Sequence, residues 1–523
     1  MKIEELLPSI EVEKIYNESP GLEISGIAYH SEKVEEGDLF VCVKGYKTDG
    51  HKYLGQAIAN GAVAAVVEEV QEEFSIPQIV VPNARIALAT LACEYYGNPS
   101  LKLDMIGITA SNGKTTTSFM TNAILEEEGY KTGLIGTVAV RMGDVSIPSV
   151  LTTPESLDLQ YYLSEMVKRD ITHVCMEVSS NAMEAHRVEG VDYDIIAFNN
   201  VTREHIDFHG TYENYLEVKS SIVRNASAKS FVVLNMDDPF VASLANQTEA
   251  TVVTYGVENH HADLICKDLD LSTGRAKYTV EVRKPLKRFP FKIEPCEFRI
   301  ELSVPGLHSV YNSMSALTIG LLSGVSIPAI QRALKKFRGV ERRFEFIYED
   351  DEFIIIDDHF ANAGNINVTL KTLKFMDFKN LRLVYAIRGS RGKTVNRENA
   401  EAIAEWSKKL GVTEIIATKS VSHVTEKDWV TDEEEAVFLE VLGNAGINVL
   451  LYDELEDAIR KAIELVNPGD LILLGGAQGM DYGAEIALEI VKELKPDIPD
   501  DVLFAPLVDR VAGVTNRHRR AYV

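Results

Sequence analysis

The run GITASNGKTTT, from Gly107 to Thr117, constrains this chain more than any other stretch. It follows the apolar start LDMI and precedes TTTSFMTNAILEEEGY, so the pattern predicts a strand running into it and a helix running out of it. Gly107, Gly113, Lys114 and Thr115 fit the spacing G-x-x-x-x-G-K-[ST]. Glycines let the backbone curl so that its N–H groups converge on phosphate oxygens. The helix N-terminus adds favourable potential for an anion. Lys114 is placed to reach the β and γ phosphates and Thr115 to offer its hydroxyl to Mg²⁺, with Asn112 and Thr116 in the same loop. The loop therefore predicts bound ATP or GTP, without distinguishing a motor, kinase, switch or ligase.

The rest of the chain narrows the class. At 523 residues about three domains are expected. Acidic residues outnumber basic ones 79 to 53, a formal net charge of -26, which argues against a general nucleic-acid binder. Cys42, Cys93, Cys175, Cys266 and Cys296 lie far apart without a CxxC pair, which fits a reducing compartment. The acidic start MKIEELLPSI does not read as a signal peptide, and no apolar run is long enough to span a bilayer. A cytoplasmic protein without membrane insertion is expected.

Strand and helix signals alternate in three blocks. Residues 1–100 mix short strands and helices, as in DLFVCVKG and HKYLGQAIANGAVAAVVEE, and end at the turn formers GNPS. Residues 101–339 open with LDMIGIT and continue through THVCMEVSS, YDIIAFNNV and SFVVLNMDD, a grammar that predicts a mostly parallel sheet. From about 250 to 304, TVVTYGV, AKYTVEVR and FRIELSVPG lack intervening helices and predict an antiparallel addition to that block. Residues 340–495 repeat the βαβ pattern through DEFIIIDD, LRLVYAIRG, TEIIATK, INVLLYD and DLILLGG. Residues 496–523 form a C-terminal extension whose RHRRAYV cluster reads as a solvated end.

Several polar groups fall just past strands of the second block, where open sheets hold ligands. Glu177, in MEVSS, is a carboxylate able to hold Mg²⁺ directly or through water. Arg187, ten residues on, can pair with a phosphate or carboxylate. NNVTREHIDFHG gathers Asn200, Glu204, His205, Asp207 and His209, and neutral His205 is a candidate metal or phosphate-end ligand. A capped helix start is the plainer reading of that stretch. HExxH is absent, so a zinc hydrolase is not indicated. Lys219, in YENYLEVKS, is unremarkable by itself.

Together these stretches resemble the ATP-dependent Mur ligase family, most closely its UDP-N-acetylmuramoyl-tripeptide synthetase (MurE-like) members. GIAYHSEKVEEGDLFVCVKGYKTDGH is similar to the family's amino-terminal domain, and GITASNGKTTT, LTTPES, MEVSS, NNVTREHIDFHG, YENYLEVK, LSVPGLHSVYN and FRGVERRFE follow in the family's order. The resemblance implies a three-domain α/β architecture: a UDP-substrate domain at 1–100, a central P-loop, parallel-sheet ATP domain at 101–339, and a Rossmann-like acceptor domain at 340–495. It implies an ATP-dependent amide ligase that passes through an acyl phosphate and adds a free amino acid to a UDP-linked muramoyl-peptide precursor, acting as a monomer in cell-wall synthesis. Two Mg²⁺ ions are implied, one held by Thr115 and Glu177, the other by Glu177, His205 and Lys219, with Lys219 carbamylated into an anionic ligand. By match, Asn200, Asn312, Arg343 and Asp357 would meet the nucleotide. Ser31, His51, Thr152, Thr153, Ser180, Arg187, Gly389 and Arg391 would meet substrate.

The pattern also departs from the family. The loop reads ASNGKTT for GTNGKTT, and Asn181 and Ala185 stand where histidine and glutamine are common. In place of a DYAHTP-like stretch the chain has DDHFANAG, which keeps Asp357. The DNPR stretch that reads diaminopimelate is replaced in ATKSVSHVTEKDW, and GGAQGMD lacks the late glutamate of a GKGHE-like segment. Two other readings stay open on sequence: a ligase acting on a different donor, such as a pseudomurein or glutamate-rich peptide precursor, and a non-enzymatic nucleotide-binding relative.

Overall fold

The computed structural model describes residues 1–45, 48–202, 210–272, 275–508, 510 and 513–515. The chain forms two compact units. The first comprises Met1–Asp144, Ser149–Tyr255 and Thr318–Ser323, and the second Val145–Pro148, Gly256–Leu317 and Gly324–Val523.

The first unit opens with a five-stranded sheet of β1 (Lys14–Tyr16), β2 (Ile27–Ala28), β3 (Leu39–Val41), β4 (Ala64–Val67) and β5 (Gln78–Val80), in the order β1-β5-β4-β3-β2. Successive residues of a strand point to opposite faces. Accordingly Leu39, Val41, Ala64 and Val66 enter one apolar cluster, while Phe40, Cys42, Ala65 and Val67 enter another. Helix α1 (Ala84–Tyr95), capped by the Asn83 side chain, packs into the first cluster through Leu88 and Leu91.

The phosphate loop belongs to the second sheet of this unit. Its strands are β6 (Asp104–Thr109), β7 (Thr132–Ile135), β8 (Ala139–Met142), β9 (His173–Glu177), β10 (Ile195–Phe198), β11 (Phe231–Asn235) and β12 (Thr251–Gly256). They run in the order β12-β11-β10-β6-β9-β7-β8, parallel except for β8 on β7. TVVTYGV therefore extends the parallel sheet as β12 instead of opening an antiparallel segment. Glu177 lies beside Ile108 and Phe198 beside Thr109, so three neighbouring strands end together at the loop. Helix α2 (Lys114–Glu128) leaves the loop, α3 (Ser156–Lys168) precedes β9, and α4 (Tyr212–Arg224) precedes β11.

The second unit contains the antiparallel strands β13 (Leu264–Asp270), β14 (Arg275–Val282) and β15 (Cys296–Pro305), the last two as expected, and helix α5 (Leu307–Leu322) as far as Leu317. Its larger sheet consists of β16 (Glu345–Glu349), β17 (Phe353–His359), β18 (Leu381–Ala386), β19 (Glu414–Thr418), β20 (Asn448–Tyr452) and β21 (Asp470–Gly476). The order is β16-β17-β21-β18-β19-β20, parallel apart from β16 on β17. Leu471 and Leu473 face one buried cluster, and Ile472 and Leu474 the other. Coverage of both faces is why DLILLGG is apolar throughout instead of alternating. Helices α6 (Gly392–Leu410), α7 (Asp432–Asn444) and α8 (Gly483–Leu494) are among the helices of this unit. The five cysteines carry free thiols. Among the described residues, no helix is long and apolar enough to cross a membrane.

Candidate functional site

Gly113 occupies the left-handed region at φ 88° and N-caps α2, a backbone shape that suits glycine. It lets the chain turn from β6 into the helix within four residues. Lys114 folds back over the loop and donates to the carbonyls of Ala110 at 2.7 Å and Ser111 at 3.0 Å. Its ammonium thus rests where the loop's backbone converges.

The loop is pinned from β10. Asn112 N–H donates to Asn200 Oδ1 at 3.0 Å, and Asn200 Nδ2 donates back to the Asn112 carbonyl at 2.9 Å. Ser111 N–H donates to the Asn200 carbonyl, and the Ser111 hydroxyl meets Tyr215 OH at 2.8 Å. Asn200 is therefore engaged with the loop backbone. Ser111, which departs from the family pattern, makes a buried bond to α4.

Glu177 is fully buried at the end of β9. It accepts from Thr115 Oγ1 at 2.9 Å, from Thr137 N–H at 2.8 Å and from Thr137 Oγ1 at 3.1 Å. Burial pushes its carboxyl above the ordinary carboxylate range, against the pull of the Thr137 N–H, the Lys114 charge and the two hydroxyls. A Cβ on Gly136 would stand 2.2 Å from Glu177 Oε1, so this glycine makes room for the carboxylate. Gly136 and Thr137 were not singled out from the sequence; their signal is a buried strand, TGLI, that ends in Gly-Thr.

Lys219 is 1% exposed on α4, with Nζ 5.1 Å from the Tyr215 ring centre and 5.8 Å from that of Phe198 at the end of β10. His205, with Glu204, Asp207 and His209, lies outside the described residues. Among the described residues, no group of three His, Cys, Asp or Glu side chains is arranged to hold a metal. What the first unit presents is one carboxylate and one hydroxyl, Glu177 and Thr115, as hard oxygen donors beside the phosphate loop. That donor type suits Mg²⁺, which keeps water or phosphate oxygens in its remaining positions.

The residues expected to meet substrate in the first unit have these intrachain partners. Thr153 is buried; its hydroxyl donates to the Glu177 carbonyl at 2.8 Å and accepts from Ser179 N–H at 3.1 Å. Thr152 meets Thr137 through their hydroxyls at 3.1 Å, and Ser180 is buried in the short helix after Glu177. Arg187 pairs with Glu155 at 2.9 Å and reaches the Thr153 carbonyl at 3.3 Å. Buried Ser31 donates to Gln56 Oε1 at 2.9 Å. Buried His51 places Nδ1 2.6 Å from Asp49 and accepts Glu68 N–H at Nε2, 3.0 Å away, which fixes its proton on Nδ1.

Asn312, Arg343, Asp357, Gly389 and Arg391 all belong to the second unit. Asn312 is buried on α5. Asp357 is fully buried and held by arginines: Arg510 Nη2 at 2.7 Å and Arg342 Nε at 3.5 Å. It stands inside an ion-pair lattice. Arg343 sits with Arg342 and Arg388 near His359, whose pKa falls to about 2 through burial and these three cations, so the imidazole is neutral. The segment around Gly389 and Arg391 is closed as well. Glu434 accepts from the backbone N–H groups of Ser390 at 3.0 Å, Arg391 at 2.8 Å and Gly392 at 2.7 Å. The donors that a phosphate would use at the start of α6 are bonded to a carboxylate of the chain itself. A Cβ on Gly389 would lie 2.0 Å from the Asp428 carbonyl oxygen, and Arg391 pairs with the Asp428 side chain at 3.0 Å. Glu434 also bonds Thr431 locally in a capping box, but its three partners at the start of α6 are 42 to 44 residues away and cannot be read from spacing.

Three family models match the chain. They are "Mur ligase family, catalytic domain" at residues 23–96, "Mur ligase middle domain" at 108–320, and "Mur ligase, glutamate ligase domain" at 342–478. The UDP-N-acetylmuramoyl-L-alanyl-D-glutamate--2,6-diaminopimelate ligase of Halalkalibacterium halodurans is 36% identical over 482 residues, covering 91% of this chain and 93% of the relative. The ligase of the same name from Caldanaerobacter subterraneus subsp. tengcongensis is 32% identical over 502 residues, covering 94% and 99%. Among solved structures, a ligase of that name superposes with a TM-score of 0.68 at 22% identity, covering 95% of this chain and 99% of the other. The MurF ligase of Thermotoga maritima, solved with ADP, superposes at 0.60 and 22% identity, covering 90% and 98%.

Proposed function

Since this chain belongs to the Mur ligase family, we propose that it is an ATP-dependent, ADP-forming amide ligase that joins a free amino acid to a UDP-linked muramoyl-peptide precursor in cell-wall synthesis. The observation that carries the reading is the bonded pair Thr115–Glu177 beside Lys114, a phosphate loop with a ready oxygen ligand set. The donor carboxylate attacks the γ-phosphorus of ATP, the bond to the β-bridging oxygen breaks, and ADP and an acyl phosphate result. The acceptor amine then adds to the activated carbonyl carbon. The tetrahedral species expels phosphate and loses a proton, leaving the amide.

The residues divide this work by position. Lys114 leaves the Ala110 and Ser111 carbonyls to meet the γ-phosphate, and the first N–H groups of α2 hold the β-phosphate. Thr115 and Glu177 would hold Mg²⁺, whose charge would offset the repulsion between donor carboxylate and phosphate. A second Mg²⁺ would draw on Glu177, His205 and a carbamylated Lys219, whose side chain is buried on α4. The first sheet, at residues 1–100, takes the UDP end, residues 101–339 take ATP, and residues 340–495 take the amino acid. The stretch ATKSVSHVTEKDW lacks a bidentate arginine for an acceptor's second carboxylate, so a single α-amino acid other than diaminopimelate fits this chain better.

The test is phosphate release with ATP and Mg²⁺ across a panel of UDP-linked muramoyl peptides crossed with single amino acids, with product masses. Release that needs one donor and one amino acid, with the matching mass gain, is the expected result. Release independent of either would defeat the ligase reading.

A further inference from the structure

Glu345 and Asp357 stand directly opposite each other across β16 and β17. They are 9% and 0% exposed. Two carboxylates facing each other across a ladder repel, and burial raises the cost further. The chain resolves this from far away in sequence. Arg510, 1% exposed, donates through Nη2 to Glu345 Oε2 at 2.5 Å and to Asp357 Oδ2 at 2.7 Å. Residue 510 lies beyond the 342–478 stretch that the third family model matches.

Described residues on both sides of Arg510 are built in. Leu503, Leu507 and Val514 are buried in the same apolar cluster as Ile355 and Leu474. Thr515 bonds both carboxylate oxygens of Glu485 through its N–H, at 3.1 Å each. Gly513, at φ 64°, lies so close to the Asp481 backbone that a Cβ would meet its carbonyl oxygen at 1.8 Å.

From Arg510 the ion pairs continue to the end of β21. Glu345 Oε2 also accepts Arg342 N–H at 2.9 Å, and Asp357 Oδ1 faces Arg342 Nε at 3.5 Å. Arg342, at φ 54°, then spends its guanidinium on the strand end: Nη1 on the Asp481 carboxylate, Nη2 on the carbonyls of Gly476 at 2.5 Å and Ala477 at 3.0 Å. A non-glycine residue in the left-handed region persists where its surroundings fix it, and here Glu345 and Asp357 do so. Asp481 is the member of this chain open to solvent, with a 32% exposed side chain. The carboxyl ends of β17, β21 and β18 are where an open sheet holds its ligand.

We propose that residues 500–508, 510 and 513–515 are part of the acceptor end of the second unit, and that Arg510 is a positioning residue that sets the Arg342–Asp481 geometry through Glu345 and Asp357. The acceptor role rests on the ligase reading above; the coupling from Arg510 to Asp481 does not.

The test uses the full chain. Arg510→Met leaves two buried carboxylates facing each other, so Glu345→Gln/Arg510→Met supplies a neutralised background in case the single variant does not fold. In the folded variant, the KM for the amino acid should rise about tenfold or more while the KM for ATP stays within about twofold. Amide exchange at Gly476–Asp481 should speed up about tenfold while β6–β9 are unchanged, and Arg510→Lys should recover part of both losses. Wild-type exchange at Gly476–Asp481 in the folded double variant overturns the coupling. An equal rise in both KM values overturns the acceptor role. If the wild type ligates no donor and amino acid, the ligase reading fails, and the exchange measurement still decides the coupling.

Discussion

Thr115 Oγ1 donates to Glu177 Oε2 at 2.9 Å, so the first turn of α2 and the last residue of β9 are bonded to each other through the two side chains best suited to a metal. The pair is preorganised by Thr137 and by the missing side chain at Gly136. This arrangement separates stability from activity at Glu177.

Glu177→Gln keeps the shape and removes a buried charge. Its folded pKa is raised by burial, so the stability this group contributes is full below the unfolded carboxylate range and is lost as pH rises through the folded value. Without Mg²⁺, the glutamine variant should melt at or above the wild type at pH 7 to 8, with the difference shrinking toward about pH 4. Phosphate release should fall about 10²-fold or more. Thermal melts across pH, paired with activity, check both; a variant less stable at pH 8 but fully active would contradict the assignment.

Gly136→Ala should reproduce the activity loss by a different route. The added methyl would collide with Glu177 Oε1, and overpacking of this kind costs about 1–3 kcal/mol. Urea unfolding gives the cost. Activity equal to wild type would show that the carboxylate's position does not matter.

Asn200→Ala removes both side-chain bonds to Asn112. About 1–2 kcal/mol of loop ordering is lost, which predicts a roughly tenfold rise in the KM for ATP. The KM for the amino acid should stay unchanged in the same steady-state experiment.

Lys219→Ala should abolish most ligation while the protein stays folded, and short-chain carboxylates should restore part of the rate by supplying the missing anionic oxygen. Full activity in the unsupplemented variant would remove Lys219 from the metal site.

Glu434 predicts a pH effect of the opposite sign. Burial raises its pKa, but N–H groups of Thr431, Gly392, Arg391 and Ser390 outweigh this and leave it lowered. Its stabilisation is present above the unfolded value, near 4.3, and is lost as pH falls through the folded value. Glu434→Gln should therefore be less stable than wild type at pH 6 to 7, by about 1–3 kcal/mol, and should lose that deficit at acid pH. Chemical denaturation at both pH values checks the sign.

The sequence was most legible where chemistry is local. The loop Gly107–Thr117, its flanking strand and helix, and Glu177 at a strand end all follow from spacing and hydrophobic pattern. The βαβ alternation likewise announced both parallel sheets. What stayed hidden depends on partners remote in sequence. The bonds of Asn200 to the phosphate loop, of His51 to Asp49 and Glu68, and of the N–H groups after Gly389 to Glu434 could not be read from spacing. Asp357 was legible as a kept acid, but its partner Arg510 lies 153 residues away, in an extension whose only feature singled out from the sequence is the RHRRAYV cluster, itself outside the described residues.

The central claim is that a donor carboxylate is activated as an acyl phosphate. The most direct measurement uses a UDP-linked muramoyl peptide labelled with ¹⁸O in its reacting carboxylate, turned over with ATP, Mg²⁺ and the amino acid. The account predicts one ¹⁸O atom in the released inorganic phosphate for each amide formed. Amide formed with unlabelled phosphate would contradict it.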